Sequence, residues 1–300
     1  MVSRSNAEIP SGATFLAAWL YRPDGLDGGE KRPLVIMGHG IGGVREMRLD
    51  AYAERFAAAD LGVLVFDYRY LGASGGQPRQ LVSIKRQLED WASAIAFARR
   101  IPWVDPSRIA LWGSSFGGGH VLAAAAKDGA VAAVVSQCPF IDGRVSLRAI
   151  PIKVLMRVGM LAVADMTSRL TGRKPVRVPV VGEPGSVALM TTPGAKPAMQ
   201  RMAPPGYRED IAARIAFEVG TYRPGRYAAQ IACPTLFAVC DHDAVTPPSA
   251  ALRAASAAPR AEVKHYPVGH FDIYFDAAFE AAVADQCEFL TRHLLAVAPV

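Results

Sequence analysis

The chain has 300 residues, 51% of them hydrophobic and 20% charged, which is too apolar for a disordered chain and long enough to bury a large core. Thirty-three Lys/Arg against 27 Asp/Glu leave +6, but the basic residues neither interleave with aromatics nor form a nucleic-acid motif, so no nucleic-acid partner is expected. Four cysteines without CxxC or Cys/His spacing read as reduced residues of a cytoplasmic protein. The early apolar stretch "FLAAWL" is too short for a signal segment, and no run elsewhere is long enough for a membrane span.

In chain order, the elements from about residue 33 alternate short β-branched runs with longer helical patterns, the rhythm of βαβ units and a mostly parallel, doubly wound sheet. "RPLVIMGHG" reads as a buried strand, "MRLDAYAERFAAADLG" as a helix and "GVLVFDYR" as the next strand. A helix over "QLVSIKRQLEDWASAIAFARR" leads through "IPWVDPS" to the strand "RIALWG", then to a helix from Ser115 to about Lys127 and the strand "VAAVVSQCP". The strands are continuously apolar, so both sheet faces are expected to be covered.

Between residues 143 and 224 the rhythm breaks. The stretch offers no clear strand, holds six of the nine methionines and contains a long helix-like run, "SLRAIPIKVLMRVGMLAVADM". From Arg144 to Arg214 there are twelve Lys/Arg and four Asp/Glu, a net +8 that leaves −2 on the rest. Strands and helices then resume with "PTLFAVC", "PPSAALRAA", "EVKHYPV" and "FDAAFEAAVADQCEFLTRHLL". The expected division is a core of residues 1–142 and 225–300 with a helical lid inserted at 143–224, above the strand ends where ligands bind in such sheets. Its methionines suit an adaptable acyl or aromatic pocket, or simply a small helical core; its charge suits an anionic thioester, or a solvated face.

The chemistry concentrates at "LWGSSFGGGH", where a strand runs into a helix with no intervening loop. Gly113-Ser114-Ser115-Phe116-Gly117 fits G-x-S-x-G, in which Gly113 and Gly117 leave room for a strained turn that exposes Ser115 at a helix N-terminus. A frame shifted to Ser114 would lose the symmetric glycines. A serine needs a base and the base an orienting acid. Of the six histidines, His270 follows a strand in a glycine-preceded loop; His265 lies inside that strand, His293 near the end of the last helix, and His120 one turn past the nucleophile, facing away. For the acid, Asp243 in "CDHDAVTPP" is favoured over Asp241 and Asp142. The oxyanion donors are assigned to the backbone N–H groups of Phe116 and of Ile41, in the "GHGIGG" loop whose Gly40 and Gly42 let the chain approach substrate. That loop lacks the frames of a phosphate or dinucleotide cradle.

With "GHGIGG", "GSSFGG", "DHDAVTPP" and "GHFDIY" in order, the chain resembles an α/β-hydrolase over nearly its whole length. "DYRYLGASGG" and "VDPSRIALWGSSFGGG" resemble the bacterial branch of dienelactone-hydrolase-like, acetyl-xylan-esterase-like and Xaa-Pro-dipeptidyl-peptidase-like proteins. The resemblance implies the Ser115, Asp243, His270 triad, Ile41 and Phe116 as oxyanion donors, and neither cofactor nor metal. Serine at 115 departs from the cysteine of a true dienelactone hydrolase and the aspartate of a haloalkane dehalogenase, and 300 residues cannot hold the extra domains of the dipeptidyl peptidases. A small esterase or thioesterase acting on a small-molecule substrate is expected. A peptidase, amidase or acyltransferase on the same triad, a non-catalytic binding protein of this fold, and self-association stay open.

Overall fold

In a computed structural model, residues 3–25, 29–148 and 150–295 are described. The chain opens with a hairpin of strands β1 (Ser3–Ser11) and β2 (Thr14–Arg22), turned at Gly12-Ala13, where Gly12 takes a φ of +58°. The succession β3 (Arg32–Gly38), helix α1 (Leu49–Ala58), β4 (Gly62–Phe66), α2 (Ile84–Ala98), β5 (Val104–Ser114), α3 (Phe116–Asp128) and β6 (Ala133–Gln137) follows. After β6 come α4 (Gly143–Arg148), α5 (Ile152–Leu170), β7 (Arg177–Pro179), α6 (Ala195–Met202), β8 (Asp210–Ala212), α7 (Ile215–Val219) and a 3-10 turn, Pro224–Gln230. β9 (Thr235–Cys240), α8 (Pro248–Ala257), β10 (Ala261–Tyr266), a short 3-10 turn at Asp272–Tyr274 and α9 (Asp276–Leu294) complete it.

Eight strands form one sheet in the order β1-β2-β4-β3-β5-β6-β9-β10. The six from β4 to β10 run parallel, and the hairpin adds an antiparallel edge. β4 and β6 are buried at every residue and β3 at all but its first, because helices cover both faces; the buried side chains are apolar except Ser136 and Gln137 of β6, whose desolvation is offset by hydrogen bonds to Gly118 O and Ser114 Oγ. The order reverses about β3, since the chain moves to β4 on one side and β5 on the other; ligands in such sheets bind outside the carboxyl ends near that point.

Two sequence expectations need correction, and one element was missed. The hairpin was not anticipated: β1 is exposed along its first half and holds Pro10, which an edge strand tolerates because one side makes no ladder bonds. Buried Asp90 ties it to the core by accepting from Ser11 Oγ at 2.8 Å and Arg69 Nε at 2.6 Å. The run "SLRAIPIKVLMRVGMLAVADM" is two helices, since Pro151 disfavours helical geometry at the residue before it and caps α5 at its start. The stretch expected to lack strands contains the antiparallel pair β7–β8. Between β6 and β9 the segment is also held by an ion pair, in which Asp165 of α5, fully buried, accepts from Arg214 Nε at 2.6 Å and from the backbone N–H groups of Val176 and Arg214, each at 2.9 Å.

Candidate active site

β5 ends at Ser114 and α3 begins at Phe116, so Ser115 alone makes the turn, at φ +56° and ψ −117°. For a residue with a Cβ this backbone costs about 1–3 kcal/mol, and it persists only where neighbours enforce it. The enforcement is visible: Ser115 N–H donates to Gln137 O at 2.9 Å and Phe140 N–H donates to Ser115 O at 2.8 Å. A Cβ on Gly113 would sit 2.2 Å from Gly117 O, and one on Gly117 would sit 2.6 Å from Gly38 O and His39 O. Both positions therefore exclude any side chain.

Ser115, Asp243 and His270 follow the carboxyl ends of β5, β9 and β10 and meet there, all buried. Ser115 Oγ lies 3.0 Å from His270 Nε2, and His270 Nδ1 lies 2.6 Å from Asp243 Oδ2. The second carboxylate oxygen, Asp243 Oδ1, accepts from the N–H groups of Val245 at 2.8 Å and Thr246 at 2.7 Å. Burial disfavours a charged imidazole, but the charges and hydrogen bonds of Asp243 and Cys138 together outweigh it and hold His270 well above its ordinary pKa. A base must be neutral to take a proton. Reaction at Ser115 is therefore expected to rise with pH through a pKa above that of free histidine, which a kcat/KM profile on a neutral ester checks; a limb at or below the free-histidine value contradicts it.

The residues weighed against these are engaged elsewhere. Ser114 is buried with its Oγ bonded to Tyr274 Oη and to Gln137 Nε2, inside the core. Asp241 pairs with His265 at 2.7 Å on a half-exposed surface, Asp142 accepts from Arg223 Nε at 2.8 Å, and His293 meets Glu262 at 3.1 Å. His120 is enclosed between Tyr222 Oη at 2.7 Å and Gln87 Oε1 at 2.9 Å, and burial pushes its pKa down to about 3, which keeps it neutral.

The loop after β3 passes directly over the turn. A Cβ on Gly40 would lie 3.1 Å from Ser115 Cβ, and among the described residues no acceptor bonds the N–H of Ile41 or Phe116. Gly42, at φ +66°, packs against Val180 and Ile211 of the segment between β6 and β9, where an added Cβ would come within 2.5 Å of Val180. Cys138 Sγ, Asp243 and His270 also place possible metal-ligand atoms within 4.8 Å of one another, although the carboxylate and Nδ1 already face each other in the hydrogen bond.

Supporting residues escaped the sequence reading. Thr246 Oγ1 donates to Asp243 Oδ2 at 2.8 Å and lies 3.3 Å from His270 Nδ1. Asp67, at the end of β4, accepts from Arg45 N–H at 2.7 Å and Ala73 N–H at 3.1 Å, and Tyr207 Oη donates to Gly42 O at 2.9 Å, so both brace the loop that carries Ile41. A polar end to an apolar strand in "DYRYLG" was the signal that could have found Asp67; Tyr207 carried no local signal.

A cavity of about 530 Å³ opens from Ser115 beside α4, α5 and α7. Phe140, Val154, Val158, Leu189 and Val219 are among its walls, and no charged side chain lines it among the described residues. The net positive charge of the segment therefore faces elsewhere. A smaller space of about 40 Å³ adjoins Ser115, Ile41 and His270 beside Met199 and Met202. Ser115 and Ile41 border both spaces.

The family model described as serine aminopeptidase, S33, matches residues 29–278. The quorum-quenching protein AidA of Acinetobacter baumannii is 50% identical over 290 residues, 96% of this chain and 94% of its own. The thiohydrolase aneE of Aspergillus aculeatus is 34% identical over 155 residues, 51% of this chain and 49% of its own. Among solved structures, the α/β hydrolase GrgF from Penicillium sp. sh18 superposes with a TM-score of 0.84 at 27% identity, covering 98% of this chain and 99% of that one.

Proposed function

We propose, from the premise that this chain belongs to the serine aminopeptidase S33 family of α/β hydrolases, that it is a serine hydrolase cleaving carboxylic esters or thioesters through an acyl-enzyme. The observation that carries the reading is the unbroken relay from Ser115 Oγ through His270 to Asp243 at the floor of an uncharged cavity. Ser115 Oγ attacks the acyl carbon while His270 Nε2 takes its proton, and Asp243 stabilises the imidazolium. The N–H groups of Ile41 and Phe116 hold the oxyanion, each worth about 3 kcal/mol in the transition state. His270 then protonates the departing alkoxide or thiolate. Water, deprotonated by His270, attacks the acyl-enzyme, and the acid leaves with Ser115 restored.

The acyl part occupies the larger space and the leaving group the smaller, because Ser115 and Ile41 border both. Residues 143–224 act as a lid whose inner wall selects the acyl group. An ester is favoured over an aminopeptidase substrate by charge: a peptide with a free ammonium needs a carboxylate to receive it, and neither space has an acidic lining residue among the described ones. The name of the fungal relative keeps thioesters beside esters, and that of the Acinetobacter relative extends the reading to small signal molecules containing such a bond.

A panel of p-nitrophenyl esters with acyl chains from acetyl upward, with matched thioesters and anilides, tests this. Each methylene entering the cavity is expected to raise kcat/KM by about fourfold until the space is filled, since burial of one CH₂ contributes about 0.8 kcal/mol. Val158→Trp, which narrows the cavity, should cancel the gain for long chains while sparing acetate. A flat length profile, or anilides turned over faster than esters, contradicts the proposal.

A further inference from the structure

The outer face of α5 is built unlike a solvated helix. Ile152, Met156, Met160, Val163 and Leu170, spaced three, four or seven apart, form one ridge, and their exposures are 69%, 64%, 65%, 57% and 83%. Large apolar side chains are otherwise seldom so bare, and a contiguous stripe of them marks a surface that meets something. The opposite face of the same helix is engaged: Val154, Leu155, Val158 and Gly159 line the cavity, and buried Asp165 holds Arg214.

Charge says what the ridge meets. From residue 143 to 176 the charged residues are Arg144, Arg148, Lys153, Arg157, Arg169, Arg173 and Lys174, with Asp165 the only acid. Asp165 is fully buried and paired, while the basic residues are exposed and make no ion pair among the described residues. Within residues 143–176 the surface is therefore an apolar ridge whose exposed charges are all cations. A second copy meeting it across a two-fold axis would set those cations against themselves. An anionic lipid surface answers both features, since apolar side chains enter the headgroup boundary while lysine and arginine hold the anionic headgroups.

We propose that α5 docks this chain peripherally onto anionic membrane lipid, lying in the interface with its ridge inward. No helix among the described residues is long and apolar enough to cross a membrane, so the association is with the surface only. The roof of the cavity is then the part that touches lipid. The proposal rests on the outer face of α5 and stands apart from whether Ser115 is the nucleophile.

Sedimentation of the full chain with vesicles of phosphatidylglycerol and phosphatidylcholine in equal parts, and with phosphatidylcholine alone, tests it without reference to activity. At low salt the bound fraction is expected to be about tenfold larger on the anionic vesicles and to fall as salt is raised. Met156→Glu with Met160→Glu, and separately Lys153→Gln with Arg157→Gln, should each reduce it about tenfold. All four side chains are exposed, so an unchanged thermal midpoint is expected and confirms an intact fold. A wild-type chain that stays in the supernatant overturns the proposal, as does binding that survives the methionine substitutions. Equal binding to neutral vesicles that ignores the Lys153 and Arg157 changes also overturns it. So does a dimer in light scattering that the methionine variant dissolves, which would assign the ridge to a second copy.

Discussion

Ser115→Ala is expected to lower kcat/KM on a short ester by about 10⁴- to 10⁶-fold with the fold intact. The substitution removes only Oγ, so the backbone conformation and the bonds from Ser115 N–H to Gln137 and from Phe140 N–H to Ser115 are retained. What survives is the catalysis that oxyanion donors and substrate binding give without a nucleophile. Ser114→Ala is the matched control. Its hydroxyl lies in the core with Tyr274 and Gln137, so its loss should cost about 1 kcal/mol of stability and leave the rate within a few fold. If Ser114→Ala silences the enzyme and Ser115→Ala does not, the nucleophile has been misassigned.

Asp243→Asn is the second large effect, with kcat expected to fall by about 10³- to 10⁴-fold. Asn has nearly the same shape and can still accept from Val245 and Thr246 at Oδ1, but it presents an NH₂ to His270 Nδ1. The imidazole must then accept at Nδ1 and carry its proton on Nε2, where it cannot deprotonate Ser115. The same change removes the Asp243 charge and leaves only Cys138 to oppose burial, so the His270 pKa should fall and the remaining activity should rise at lower pH than in the wild type. Asp241→Asn touches the pair with His265, and Asp142→Asn the bonds from Arg223 Nε and Arg144 N–H, so both should leave rate and pH profile alone. Paired pH profiles of the three variants separate the candidates; an unaltered profile in Asp243→Asn contradicts its role.

The parts of this molecule that were legible in its sequence are those where local sterics dictate residue type. Gly113 and Gly117 flank Ser115 because a Cβ at either would strike backbone, and the buried strands β3 and β4 read as strands because they are continuously apolar. The N-terminal hairpin was not legible, since half of β1 is exposed and its anchor, Ser11 to Asp90, joins residues 79 positions apart. The segment between β6 and β9 was legible as a break in the strand–helix rhythm but not in its internal order, which depends on Pro151 splitting a helical pattern and on Asp165 meeting Arg214. Thr246 was hidden for a related reason: in "AVTPP" it reads as a helix approach, and only the meeting of the β6, β9 and β10 ends gives it Cys138, Asp243 and His270 as partners.

The most direct test is where a covalent bond forms. Treating the wild-type chain with a fluorophosphonate and mapping its peptides by mass spectrometry is expected to give a single adduct on Ser115, lost in Ser115→Ala and slowed in His270→Ala. An adduct on another residue, or no adduct while esters are still hydrolysed, would contradict an acyl-enzyme at Ser115.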